Sequence, residues 1–357
     1  MKIAILSTAS VTGEQGGAER FYPGLSNALI EAGASTEIVS IVSDERDFRH
    51  IQESYLRFYD LDLTGYDAVI STKAPGYVVR HPNHLCYLQH TMRVFYDLFD
   101  VTYPLPTREH IRRRKFIHNL DTLALRSPRT RRIFTIGHEV SRRLKAFNGL
   151  DSEVLYQATT IKGFRHGDYR YVFLPGRLNR WKRGDLVIKA MRHVRSPVEL
   201  LISGIGEKEV AWKSLASKNS RIRFLGRVSD EELLALYADA LCVAFVPLHE
   251  DFGLITLEAF HSHKPVITCS DSGEPARIVE HGKSGFVCAP NPRRIAKHID
   301  FLAADPAVSK RMGQRGAESI QGISWEHVAT TLMDALEAGI ERVKRPSIRR
   351  FPKHHTR

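Results

Sequence analysis

Val246-Pro-Leu-His-Glu-Asp-Phe-Gly-Leu-Ile-Thr-Leu-Glu-Ala-Phe260 is the stretch from which the fold can be read. It begins where Leu241-Cys-Val-Ala-Phe-Val246 ends, a short apolar run rich in β-formers that Pro247 stops, as expected of a strand buried in a parallel sheet. A helix is expected directly afterwards. Asp251 is placed to cap it, and Gly253 in its first turn lets a ligand approach backbone N–H groups that have no partner within the helix. An anion is expected at that helix start.

Leu254, Ile255, Leu257, Ala259 and Phe260 leave this helix almost no polar face, so it reads as buried all round, with Glu258 in its middle. A buried carboxylate is costly unless something hydrogen-bonds it. An internal Lys or Arg would be the plain structural explanation. Glu250, with seven residues between it and Glu258, points further, because two carboxylates can then flank one ligand with free N–H groups between them. That arrangement suits a ligand with hydroxyls at both ends and phosphates in the middle, which describes a nucleotide sugar.

The block Glu250-Asp-Phe-Gly-Leu-Ile-Thr-Leu-Glu258-Ala resembles the signature of glycosyltransferase family 4, the glycosyl transferases group 1, which are retaining enzymes of the GT-B fold. The resemblance implies that Glu250 contacts the transferred sugar. It also implies that Glu258 binds the ribose hydroxyls and that Phe252, Gly253 and Leu254 give N–H groups to the diphosphate. The implied fold class is α/β, with two Rossmann-like β/α/β domains facing a central cleft and a C-terminal helix crossing back to the N-terminal domain.

A chain of 357 residues is longer than a single core usually grows. The expected domains are 1–162 for the acceptor and 163–322 for the nucleotide sugar, then a returning helix at 323–345 and a basic tail at 346–357. Cys86, Cys242, Cys269 and Cys288 form no C-x-x-C pair and fall mostly in apolar runs, so they read as reduced core residues of a cytoplasmic protein. The apolar run in Met1-Lys-Ile-Ala-Ile-Leu6 is too short for a signal peptide and reads as a first strand. No stretch is apolar for long enough to span a bilayer. The net charge of +12 is local, since residues 108–145 and 341–357 together exceed it and the rest of the chain is slightly negative. Two basic patches of this kind suit an anionic surface.

Taken in order, Ile3–Leu6, a Gly-rich turn and the helical pattern Phe21, Leu25, Leu29 make an opening βα unit. Gly16-Gly17-Ala-Glu resembles the family's glycine loop, which approaches the donor diphosphate from the other domain. Strands are expected at 37–42, 68–71 and 84–88, and the last leads into Gln89-His90-Thr-Met-Arg, with His90 at the ligand-binding edge of the sheet. This block is similar to a His-Thr-Pro-Met-Arg segment of family members, many of them mannosyltransferases, without its Pro. Residues 105–126 read as a basic amphipathic helix with Phe116, Ile117, Leu120 and Ala124 on its apolar side and Arg112, Arg113, Arg114 and Lys115 at one end.

The second domain opens at Tyr171–Leu174, followed by Pro-Gly-Arg177-Leu-Asn-Arg-Trp-Lys182-Arg, whose Arg177 and Lys182 stand at the family's spacing for two cations on the donor phosphates. Gly204 and Val228 close two further strand-to-turn units that resemble family elements, Val228 lying near the base. Ser229-Asp-Glu-Glu is an N-cap pattern. Trp325–Leu336 is the candidate returning helix.

The resemblance thus implies a hexosyltransferase that moves a sugar from GDP-mannose or a UDP-sugar to a glycan or lipid-linked acceptor in cell-surface polysaccharide or glycoconjugate synthesis. Cations and N–H donors would meet the charge that grows on the leaving phosphate. No cofactor or metal is expected. The expected partners are the donor, the acceptor and an anionic membrane on its inner face, with no nucleic acid. Two rivals are a basic nucleic-acid-binding protein and an NAD-dependent Rossmann enzyme. The first leaves Glu258 unexplained, and the second is opposed by the absence of G-x-G-x-x-G spacing.

Overall fold

The computed structural model describes residues 1–10, 17–126 and 128–344, and the chain divides into two units. The first holds Met1–Thr135, Ser141–Leu155 and the chain from Trp325 onward. The second holds Ile136–Val140 and Tyr156–Ser324.

In the first unit the order is β1 (Lys2–Ser10), α1 (Gly17–Glu31), β2 (Ser35–Ser43), α2 (Phe48–Tyr59), β3 (Ala68–Lys73), β4 (His84–His90), α3 (Phe99–Thr102), α4 (Arg108–Leu125), β5 (Arg132–Thr135), α5 (His138–Asn148) and β6 (Glu153–Val154). The strands form one parallel sheet in the order β2-β1-β3-β4-β5-β6. Ala68–Thr72 and His84–Gln89 are buried throughout, which is why these runs carry no alternation of polar residues. β2 lies at the edge and is largely exposed.

In the second unit the order is β7 (Tyr171–Leu174), α6 (Gly184–Ala190), β8 (Glu199–Ser203), α7 (Glu209–Ala216), β9 (Ile222–Gly226), α8 (Asp230–Ala238), β10 (Ala240–Ala244), α9 (Leu254–His261), β11 (Val266–Cys269), α10 (Glu274–Ile278), β12 (Gly285–Cys288), α11 (Pro292–Ala304) and α12 (Pro306–Ser319). Its sheet is also parallel, in the order β12-β11-β10-β7-β8-β9. All four cysteines are buried free thiols, as their sequence context suggested. Ser229 caps α8 in a reciprocal box with Glu232, again as read from sequence.

The last helix, α13 (Trp325–Lys344), is assigned to the first unit. Its apolar stripe Val328, Leu332 and Leu336 is buried at helical spacing, Trp325 meets the Phe21 ring at 5.7 Å, and Asn83 Nδ2 donates to the Leu336 carbonyl at 3.2 Å.

The basic helix α4 differs in detail from the sequence expectation. Ile117 and Ala124 are buried, but Phe116 is exposed at its edge and meets Phe48, while the acid Asp121 takes the core position. Of the four clustered cations, Arg112 and Arg113 pair with Glu109, and Arg114 lies over the Phe99 and Phe147 rings. The basic end is therefore partly neutralised and partly packed. The expected tail at 346–357 lies outside the described residues.

Asp121 is fully buried and accepts hydrogen bonds from Tyr55 at 2.7 Å and Tyr96 at 2.6 Å. Burial raises its carboxyl from 3.8 to about 6 against the opposing pull of the tyrosine hydroxyls. A carboxyl raised in the folded state is fully stabilising below its unfolded value and loses that contribution as pH rises through its folded value. Wild-type stability should therefore fall between about pH 4 and 7 by on the order of 3 kcal/mol from this group alone. Urea denaturation of wild type and Asp121→Asn across that range checks this. The wild-type curve should fall relative to that of the Asn variant by about this amount as pH rises, and parallel curves would refute it.

Candidate functional site

The second sheet changes winding direction between β7 and β10, because successive strands spread outward from β7 on one side and from β10 on the other. Loops following parallel strands all emerge at one edge, and ligands of open α/β sheets sit where the loops of such a pair diverge. Those loops are 175–183 and 245–253. They carry Arg177 and Lys182 on one side and Glu250, Phe252 and Gly253 on the other.

The structure brings two of these residues into direct contact. Lys182 Nζ donates to both Glu250 carboxylate oxygens at 2.7 Å, with the side chains 23% and 20% exposed, and the ammonium lies 5.3 Å from the Phe245 ring centre. Partial burial makes this pair stronger than an exposed one while leaving an incoming anion a path to the ammonium.

Arg183, the next residue, fixes the loop around the pair. Its backbone is left-handed (φ 48°), which places it at the cap of α6. Its guanidinium donates to the Val246 and Pro247 carbonyls at 2.9 and 2.7 Å and to both oxygens of Asp271 at 2.6 and 2.7 Å. Burial by itself would raise the Asp271 carboxyl, but the Arg183 hydrogen bonds and charge outweigh it and hold the group below the usual carboxylate range. The backbone continues the tie. His249 and Glu250 N–H groups donate to the Asp271 and Ser272 carbonyls, and Glu274 N–H to that of Glu250, each at 3.0 Å. Any Cβ on Gly273 would lie 2.4 Å from the Glu250 carbonyl oxygen, so only glycine permits this pairing.

The start of α9 corrects one expectation. Asp251 is not its cap. Gly253 itself occupies the cap position in the left-handed region (φ 81°), the helix begins at Leu254, and no side chain caps it. A Cβ at Gly253 would meet Phe245 at 2.7 Å and Pro275 at 2.8 Å, so the turn requires glycine for both conformation and space. The helix is also less enclosed than its composition suggests. Leu254, Ile255 and Glu258 are half-buried, because this face opens beside the strand-end loops, whereas Leu257, Ala259 and Phe260 fill the core. Glu258 Oε2 accepts from the buried Tyr237 hydroxyl at 2.6 Å. Burial first, and then the adjacent carboxylate, push the Tyr237 hydroxyl well up, so Tyr237 stays a donor.

Arg177 is exposed, and among the described residues it has no carboxylate partner. Bare backbone brings its loop close to the neighbouring elements. A Cβ on Gly204 would lie 2.0 Å from the Gly176 carbonyl oxygen, and one on Gly176 would lie 3.0 Å from Ile255 Cδ1. Phe252 is buried, with its ring 5.5 Å from that of Tyr156. Val228 stands in the turn after β9, on the same sheet edge but two strands away from β7.

The remaining expected residues belong to the first unit. His90 closes β4, with Nδ1 3.0 Å from the Thr91 carbonyl, and Gly17 opens α1. Gly16 lies outside the described residues. Among the described residues, no group of three or more His, Cys, Asp or Glu side chains is arranged to hold a metal ion.

Sequence reasoning missed Tyr237, the Arg183–Asp271 clamp and Glu274. The fully buried Glu274 accepts from the Glu139 N–H at 2.7 Å and the Tyr156 hydroxyl at 2.6 Å. Each joins segments far apart in the chain, and only the run of cations before α6 hinted at any of them.

Residues 158–319 match the family model of glycosyl transferases group 1. This segment belongs to that family. The α-1,3/1,6-mannosyltransferase ALG2 of Homo sapiens is 31% identical over 100 residues, covering 28% of this chain and 24% of its own length. The phosphatidyl-myo-inositol mannosyltransferase of Mycobacterium leprae is 28% identical over 197 residues, covering 53% and 52%. The chain thus spans from about a quarter to about half the length of these curated relatives. Among solved structures, sucrose-phosphate synthase from Thermosynechococcus elongatus aligns with a TM-score of 0.76 at 17% identity, over 96% of this chain and 99% of that one. HepE of Anabaena in complex with UDP-glucose aligns with a TM-score of 0.69 at 16% identity, over 95% and 100%. At these identities the likeness is one of fold, the GT-B class anticipated from the sequence.

The glycine cap gives a test of the site's construction that needs no substrate. Gly253→Ala combines a left-handed backbone with two contacts below 3 Å, and should cost on the order of 2 kcal/mol or more in denaturant unfolding of the second unit. Gly282→Ala, also at positive φ but with open space around the added methyl, should cost less. Equal losses would show that packing at Gly253 contributes nothing.

Proposed function

We propose that the chain is a retaining glycosyltransferase that moves a hexosyl group from a nucleoside-diphosphate sugar to a glycan or lipid-linked acceptor. The observation that carries this reading is the Lys182–Glu250 pair at the sheet's switch point, beside the glycine-capped start of α9 and the Tyr237-held Glu258. It is supported by the family match over 158–319 and by the nature of the relatives, two of them mannosyltransferases. A structural neighbour holds UDP-glucose, which favours the same class of donor.

In this reading the anomeric C–O bond to the diphosphate breaks as the acceptor oxygen bonds to the sugar on the same face, and the acceptor's proton passes to the leaving phosphate. Arg177, Lys182 and the N–H groups of Gly253 and Leu254 meet the charge that grows on that phosphate. Gly204 and the glycine loop at Gly16 and Gly17 allow close approach to the donor, with Val228 near its base. Glu258 binds the ribose hydroxyls, Glu250 orients the sugar once Lys182 turns to the phosphate, and His90 positions sugar or acceptor. The protein supplies these charges itself, so transfer needs neither cofactor nor divalent metal, and chelator should leave the rate unchanged.

Membrane attachment is the finer part of the proposal. The surface around α4 combines exposed Arg108, Arg112 and Lys115 with Ile111, Leu123 and Leu105, the last 92% exposed. A basic rim with apolar side chains suits peripheral binding to anionic lipid. No described helix is long and apolar enough to cross a membrane.

A thermal-shift screen with GDP-mannose, UDP-sugars, NAD and oligonucleotides tests the class, with stabilisation by one nucleotide sugar expected and by NAD or oligonucleotide alone contrary to it. Glu258→Gln should weaken donor binding, whereas Glu250→Gln should act mainly on turnover. Lys182→Ala or Arg177→Ala should lower the rate about a hundredfold, the usual loss for one donor to a developing oxyanion. A folded Glu258→Gln variant with full activity would remove the nucleotide-sugar reading. For the membrane, vesicle flotation at low and high salt should lose binding in a variant carrying Leu105→Ser, Arg112→Ser and Lys115→Ser. Binding that ignores lipid charge counts against it.

A further inference from the structure

The opposite edge of the first sheet, at the N-terminal ends of its strands, carries a second basic feature. The turns before β4 and β5 bound a cavity of about 350 Å³ lined by Val79, Arg80, His81, Pro82 and Arg129. None of these residues is acidic. Tyr59, the last residue of α2, organises the two arginines, with the Arg80 guanidinium 4.7 Å and that of Arg129 5.3 Å from its ring centre. Arg80 Nε donates to the Tyr59 carbonyl at 3.1 Å, which orients the fork. Both side chains belong to exposed residues, and neither has a carboxylate partner among the described residues. His81 forms a wall of the cavity, with both ring nitrogens used: Nε2 lies 3.0 Å from the Tyr66 carbonyl, and Nδ1 accepts from the Asn83 N–H at 3.1 Å.

The adjoining cavity on the same edge, of about 440 Å³, makes a useful contrast. It is lined by Arg126, Arg131 and Arg132 but also by Asp151 and Glu153, and Arg132 is already paired with Glu153 at 2.6 Å. The first cavity has no such compensation. Two guanidiniums held on one aromatic ring, facing a concavity without acids, are pre-organised for an oxyanion that can accept from both. Its volume is in the range of small-molecule sites and larger than one phosphate group requires.

We propose that Arg80 and Arg129 form a binding site for a phosphate-bearing ligand, distinct from the proposed donor site in the second unit. The shared chemistry is a terminal phosphate or diphosphate, carried either by a soluble metabolite or by a lipid headgroup.

The experiment uses the full chain carrying Arg177→Ala and Lys182→Ala, so that the proposed donor site does not contribute, with inorganic pyrophosphate as the probe in isothermal titration. One site should remain. Arg80→Gln or Arg129→Gln should each weaken it at least tenfold. Arg80→Lys, which keeps charge but loses the planar fork, should weaken it less. Melting temperature and near-ultraviolet circular dichroism establish that each variant is folded. Flotation with neutral vesicles containing or lacking phosphatidic acid separates the sources. Vesicle binding that falls with Arg80→Gln assigns the site to a headgroup, and pyrophosphate binding without that fall assigns it to a soluble ligand. Absence of pyrophosphate binding in the parent, or binding unchanged by both Gln substitutions, would overturn the proposal.

Discussion

The second unit's edge is held by one guanidinium. Arg183 bonds two carbonyls of the loop after β10 and both oxygens of the acid after β11, from a position at the end of the loop after β7. Three strand-end loops that have no regular structure of their own are thereby fixed to one rigid planar group. Hydrogen bonds to a charged donor are among the stronger ones, and this side chain makes four of them while largely shielded from water. Glu250 and Lys182 flank that clamp in sequence and in space. Their geometry depends on it even though Arg183 itself need not touch a ligand.

This arrangement also explains how a partly buried acid and base can coexist between these loops. Each neutralises the other, so neither bears the full cost of desolvation alone. In the proposed function a diphosphate competes for the ammonium, and the sugar hydroxyls take up the released carboxylate. The exchange replaces one charge-assisted contact with two.

Much of this was legible in the sequence for physical reasons. The run Leu241–Val246 read as a strand covered on both faces, and Ser229 with Glu232 as the start of a helix. The pair Glu250 and Glu258 marked the candidate site because two acids there flank a glycine turn at the end of a buried strand. What could not be read were the partners. Tyr237 reaches Glu258 from the helix before β10, and Asp271 reaches Arg183 across two strand crossovers, so no local spacing announces them. Asp251 was misplaced as a cap because sequence shows a capping side chain but not a left-handed glycine that takes the position itself. Arg112 to Lys115 looked like a uniform patch because charge composition does not reveal that Arg114 lies on two aromatic rings.

The return of α13 to the first unit has a consequence for the order of biosynthesis. Phe21 and Asn83 are translated early, but the surface that covers them, Trp325 to Leu336, emerges from the ribosome only after the whole of the second unit. During that interval the second sheet can close its own core, while the first waits with an apolar groove beside α1 still open to solvent. The nascent chain therefore leaves this surface open to aggregation and to chaperone capture in its oldest segment.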